Sequence, residues 1–240
     1  KSHYGREYMA SLLSGFLDSA NKVSENIAEC HRMGIPVLAP HVNESQKGFA
    51  VYNKAIRFGL LAVKNLGRGL IKRIIDERNN NGKFTDFYDF CKRMYGKGLN
   101  SRAVESLIKC GALDGLGNNR REMISSLKVV LESCEHEYRY SSAGQLSFFD
   151  SVEDDSSSNL IITKLQDFTI SEKLAMEKEM AGMYLTGHPM NQYDDVAQSI
   201  KADKINRLLA EDNKSYRDGD RINILGVLSN VKVRTTKNNQ

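Results

Sequence analysis

No tryptophan and only three prolines occur among the 240 residues, and aromatic side chains make up 8%. Such a scarcity of helix breakers and large strand formers, in a chain rich in Lys, Glu, Leu and Ile, favours a mainly α protein over an all-strand sandwich. Long apolar runs are missing as well. Phe58 to Val63 and Ile222 to Leu228 are among the longest, far short of the roughly 20 residues that span a bilayer, so no membrane segment is expected. The four cysteines, Cys30, Cys91, Cys110 and Cys134, form no Cys-x-x-Cys pair and have no histidine at ligand spacing. That pattern indicates neither a zinc site nor a disulfide framework, and it suits a reducing cytoplasm.

Catalytic signatures are also absent. Asp76-Glu77 and Asp154-Asp155 are adjacent acidic pairs without partners, and no Ser/His/Asp or phosphate-loop pattern occurs. The expectation is therefore no catalytic residue and no metal ligand, with His188, before Pro189, as a structural histidine. The chain opens on Lys1-Ser2-His3-Tyr4, without an initiator Met or a signal pattern, and closes on Asn238-Asn239-Gln240. Both ends read as cuts inside a longer protein.

With 40% apolar residues the chain has enough material for one large or two modest cores. The net charge of +4 conceals an asymmetry. From Val51 to Arg102, twelve Lys and Arg face four acids, whereas from Ser141 to Ile200 three lysines face ten acids. The first stretch suits a polyanion and the second repels one.

Apolar positions Val23, Ile27 and Cys30 predict a helix ending at Gly34, and the residues before Pro36 and Pro40 are expected to be extended. Ile56 to Leu61, then Arg68 to Arg78, read as helix, tight hairpin, helix, followed by a turn at Asn79-Asn80-Asn81-Gly82. Phe84, Phe87, Tyr88 and Phe90 are expected to pack in a core. Asn100 or Ser101 should cap a helix through Cys110. Asn119 with Glu122, and Thr169 with Glu172, have capping-box spacing. They predict helices running to about Cys134 and ending at Gly187-Pro189. A short helix around Ile205 to Leu209 should follow, then a turn at Arg217 to Asp220. Strands are expected over Ile222 to Val227 and Leu228 to Thr235.

The first feature that carries chemistry is Leu60-x-x-Val63-x-Asn65-Leu66-Gly67-x-x-x-Ile71-x-x-Ile74, the spacing of a helix-hairpin-helix. In that motif glycines allow a sharp turn, the apolar residue between them locks it, and the amides of the next helix face a phosphate. Asn65 replaces the first glycine, and asparagine tolerates left-handed backbone best after glycine. Lys64, Asn65, Leu66, Gly67, Arg68, Gly69, Lys72 and Arg73 form the candidate DNA-binding set, gripping backbone without reading bases. The plainer alternative is a helical turn with a solvated basic face. A second hairpin, Cys110-Gly111-Ala112-Leu113, lacks the second glycine; Arg120 and Arg121 begin the helix after it, and its DNA role stays open. Asn43, Ser45 and Lys47 are weighed as a hydrogen-bonded loop rather than a ligand site. The second feature is Gln145-Leu146-Ser147-Phe148-Phe149 in an acidic, Ser-rich linker, the pattern of a short docking peptide with Leu146 and Phe149 as anchors.

An ordered series of stretches resembles the alpha-subunit family of bacterial DNA polymerase III, the C-family replicative polymerases. The stretches are Glu7-Tyr8-Met9-Ala10-Ser11-Leu12-Leu13, Gly34 to Ser45 (GIPVLAPHVNES), Ile56-Arg57-Phe58-Gly59-Leu60, Leu107 to Asp114 (LIKCGALD) and Glu177 to Met190 (EKEMAGMYLTGHPM). The resemblance implies a division into the end of a fingers domain (1–50), tandem helix-hairpin-helix elements (51–140) and a linker with a sliding-clamp peptide at Gln145 to Phe149 (141–160). A helical connection (161–215) and the truncated β start of an OB-fold (216–240) complete it. It also implies double-stranded DNA, the bacterial beta sliding clamp and other replicase subunits as partners. Mg²⁺-dependent nucleotidyl transfer belongs to the parent polymerase, whose catalytic aspartates lie in an upstream palm and are matched by none here. This chain alone is therefore expected to need no cofactor and not to polymerise. The competing reading is a stand-alone helix-hairpin-helix DNA-binding or repair adaptor.

Overall fold

Helical periodicity governs most of the computed structural model, which describes residues 4–142, 162–203, 205–208, 216–217 and 219–228. Two compact units divide the chain, Lys1–Thr186 and Gly187–Gln240. In the first, α1 (Gly5–Gly15) and α2 (Ala20–Arg32) precede three short strands, β1 (Val37–Leu38), β2 (Ala50–Tyr52) and β3 (Ala55–Arg57). Helices α3 (Arg68–Asn81), α4 (Phe87–Met94), α5 (Ser101–Lys109), α6 (Arg120–Ser142) and α7 (Ile170–Ala181) follow. The second unit contains a 3₁₀ turn (Pro189–Tyr193), α8 (Asp194–Ser199) and α9 (Ile205–Leu208).

The strands form one sheet of order β1-β3-β2. β1 is parallel to β3 with Val37 opposite Ile56, and β2 is antiparallel with Val51 opposite Ile56. Asn53 takes a left-handed φ of 54° in the turn between β2 and β3, a conformation that asparagine accepts at low cost. The sheet is a departure from the sequence reading. Residues 56 and 57, expected in the first helix of the hairpin motif, are strand, and only Leu60–Ala62 coils, as a single 3₁₀ turn. Strands of two or three residues are too short to display alternation, and here Ile56 N is taken by Pro36 O and Phe58 N by Leu38 O, each at 2.9 Å.

Caps set several boundaries. Asn100 Oδ1 accepts from Ala103 N at 2.9 Å. Asn119 and Glu122 exchange bonds as a capping box, as do Thr169 and Glu172. Three helix ends differ from expectation. Asn79 to Asn81 are the last turn of α3, because Asn81 reaches back to Glu77 and Gly82, at φ 79°, ends the helix. α6 continues past Cys134 to Ser142, with Tyr138 packed on Tyr95. α7 stops at Gly182 in left-handed backbone, φ 77°, rather than at Gly187. In the second unit, Asp220 N bonds Arg217 O at 3.1 Å in the expected turn. The described residues 219–228 form no strand: Ile222, Ile224, Val227 and Leu228 are exposed and have no ladder partner among the described residues.

One apolar core runs through the first unit. Met9 and Leu13 of α1, Ile56 and Phe58 of the sheet, Ile71 and Ile74 of α3, Phe87 and Phe90 of α4 and Leu107 of α5 are all fully buried. Phe84 meets Phe90 edge-on at 5.0 Å, so the aromatic cluster is core. The four cysteines are buried and unpaired.

A close backbone crossing holds the approach to the hairpin. Leu60 N and Leu61 N donate to Gln46 O and Lys47 O, both at 3.0 Å. A Cβ on Gly59 would collide with the backbone of Gly48. Gly59→Ala should therefore lower stability by about 1–3 kcal/mol, the usual cost of overpacking, measured by urea unfolding; an unchanged midpoint would contradict the crossing.

Buried charge also contributes. Glu77 of α3 receives Arg93 Nε at 3.0 Å, Asn81 Nδ2 at 2.9 Å and the Lys97 ammonium. Burial alone would raise its carboxyl, but these donors outweigh it and hold the pKa down at about 2 against an ordinary 4.5. A depressed folded value means that the contribution is complete above about 4.5 and is lost as pH falls towards 2. Glu77→Gln should therefore be less stable than the native chain at pH 7, with the gap narrowing between pH 4.5 and 2 in urea titrations; a constant gap would contradict the network.

Candidate nucleic-acid interface

Between the 3₁₀ turn and α3 the chain reverses through Lys64, Asn65 and Leu66. Asn65 has a φ of 63°, the left-handed geometry for which asparagine substitutes for glycine. Its Nδ2 donates to Ser106 Oγ of α5 at 2.9 Å, and Lys64 N donates to Met180 O of α7 at 2.9 Å. Leu66 is buried beneath the hairpin. The hairpin is thus held from two sides and from below.

Gly67 occupies the N-cap of α3 and supplies no side-chain cap. The first-turn amides of a helix have no intrahelical acceptor, and they carry the positive end of its dipole. Gly67 and Gly69 are exposed, and a Cβ on either would meet nothing within 4 Å. An anion can approach that helix end closely.

The surrounding charge is more selective than its count of twelve cations suggests. Arg57 pairs with Glu44, and Arg78 is buried, donating to Val42 O at 2.6 Å. Arg93 and Lys97 hold Glu77, and Lys92 binds Glu137 at 2.8 Å. Within the candidate set, Lys72 is paired with Asp76 at 2.6 Å and Arg73 donates to Lys97 O at 2.9 Å, although both are exposed. Lys64 and Arg68 are exposed and ion-paired with no described residue. The eight candidates therefore sit together on one hairpin and the start of one helix, with Leu66 as its buried lock.

Arg102 was missing from that set. It lines a pocket of about 250 Å³ together with Lys64 and Asn65. No local spacing signals this, because the hairpin meets α5 through the Asn65–Ser106 bond, 41 residues apart in the chain.

The second hairpin has no comparable surface. Gly111 is left-handed, φ 79°, but the site beside it is filled by Arg120, whose side chain is 2% exposed. Arg120 Nη2 lies 2.7 Å from Asp114 Oδ2 and 3.0 Å from Glu177 Oε1. Arg121 stacks over Phe168 at 4.3 Å. The cations at that helix start are therefore used internally. Asn43 exchanges bonds with Phe84 backbone at 2.8 and 2.9 Å, and Ser45 Oγ donates to Phe58 O at 2.8 Å, as a structural loop requires. His188 Nδ1 accepts from Met190 N at 3.1 Å. Gln145 to Phe149 lie outside the described residues.

Among the described residues, no three His, Cys, Asp or Glu side chains gather where a metal ion could be held. No helix among the described residues is long and apolar enough to cross a membrane.

The hairpin is locked by one buried leucine between a short turn and a glycine-capped helix, and residues 34–123 match the family described as a helix-hairpin-helix motif. Over nearly its whole length the chain is similar to one stretch of the DNA polymerase III alpha subunits. It is 34% identical to DNA polymerase III subunit alpha of Mycobacterium tuberculosis, covering 99% of this chain and 20% of the relative. The corresponding protein of Borreliella burgdorferi is 33% identical, over 100% of this chain and 21% of the relative. That of Vibrio cholerae is 33% identical over 99% and 20%. The chain thus spans about a fifth of the length of the curated relatives it matches.

Proposed function

We propose that the chain is the duplex-holding part of a bacterial replicative DNA polymerase, gripping DNA behind the active site without reading its sequence. The observation that carries this reading is the exposed, glycine-capped start of α3 beside Lys64 and Arg68, which are ion-paired with no described residue. A backbone phosphate oxygen there accepts from the α3 amides, while Lys64 and Arg68 balance its charge. No base edge enters such a contact, so register along the DNA is free, as a polymerase that moves along its product requires.

Gln145 to Phe149 act as the tether to the beta sliding clamp, with Leu146 and Phe149 as the apolar anchors. Nucleotide addition with Mg²⁺ is assigned to the parent polymerase in the cytoplasm, together with its other replicase subunits. Fluorescence anisotropy of two unrelated duplexes tests the grip. Equal affinities in the micromolar range near physiological salt, weakening steeply with added salt, are expected; affinity indifferent to salt would contradict it. Clamp binding that persists in a Leu146→Ala, Phe149→Ala variant would remove the tether.

A further inference from the structure

Beside the hairpin, the pocket shared with α5 has a polar lining that the helix-hairpin-helix itself does not need. Lys64 and Asn65 of the hairpin, Arg102, Glu105, Ser106 and Lys109 of α5, and Glu179 of α7 line it. Ser106 is 2% exposed, and its hydroxyl accepts from Asn65 Nδ2 at 2.9 Å and donates to Arg102 O at 2.9 Å. This chain of bonds fixes the backbone of Arg102 relative to the hairpin tip. Lys109 is engaged by Glu105 at 2.8 Å and Glu179 at 3.8 Å. Arg102 is exposed and ion-paired with no described residue.

We propose that this pocket is a second phosphate subsite, in which the Arg102 guanidinium takes the backbone phosphate next to the one held at the start of α3. The inference deepens the proposed DNA grip and rests on it. A guanidinium offers parallel donors that fit two oxygens of one phosphodiester. The Asn65–Ser106–Arg102 chain supplies the fixed spacing between the two phosphates. Glu105 and Glu179 keep Lys109 out of the contact, so the subsite depends on Arg102.

The test uses the full chain and a plain duplex, with affinity measured over a salt series. Arg102→Ala should weaken binding about fivefold near physiological salt and reduce the salt slope by about 0.9, the effect of one lost phosphate contact. Arg102→Lys should recover most of that slope, and thermal unfolding of both variants should match the native chain. If the native chain binds duplex and Arg102→Ala leaves affinity and slope unchanged, the subsite is overturned while the hairpin grip stands. If Arg102→Lys falls as far as Arg102→Ala in slope, the charge role is overturned. Absence of duplex binding by the native chain removes both readings.

Discussion

Glu177→Ala is expected to lower the stability of the chain by about 3–5 kcal/mol, the range for removing one partner of a buried ion pair. Glu177 is fully buried in α7. Its carboxylate accepts from Arg120 Nη2 at 3.0 Å, Leu185 N at 2.9 Å, Thr186 N at 3.0 Å and Thr186 Oγ1 at 2.9 Å. Alanine would leave the Arg120 guanidinium buried with Asp114 as its one remaining acidic partner, and three further donors without their acceptor. The same contact joins α7 to the start of α6. α7 also supplies Met180 O to the hairpin, so loosening α7 should disturb Lys64 as well. Urea unfolding followed by far-UV circular dichroism measures the loss. A change below about 1 kcal/mol, the worth of an exposed pair, would mean that the buried network does not exist.

Charge reversal at the hairpin should have the largest effect on binding. Lys64→Glu with Arg68→Glu removes two phosphate contacts, which lowers the salt slope of duplex affinity by about 1.8 and weakens binding at least about thirtyfold near physiological salt. Both side chains are exposed, so stability should be nearly unchanged. Lys72→Glu should do less, because Lys72 is already paired with Asp76. Equal losses for the three positions, measured by anisotropy, would indicate a diffuse basic surface instead of a hairpin grip.

The hairpin was legible in the sequence because its geometry depends on local residues: Asn65 for the left-handed turn, Leu66 for the lock and Gly67 for the cap. The capping residues Asn100, Asn119 and Thr169 were legible for the same reason, since each bonds a partner within three residues. What long-range contacts decide was not legible. The sheet joins Ile56 to Val37 and Val51, and three-residue strands carry no periodic signal. Charge counting could not separate Arg78, which is buried, from Arg68, which is exposed. Arg102 belongs with the hairpin only because α5 folds against it, a contact that spacing along the chain does not reveal.

The most direct measurement is the amide chemical-shift map of the isotopically labelled chain on titration with a short duplex. The largest shifts are predicted at Gly67, Arg68, Gly69 and Leu70, where the first-turn amides of α3 meet phosphate, with Gly111 to Asp114 little changed. Shifts centred on Gly111 to Asp114, with the start of α3 silent, would contradict the account.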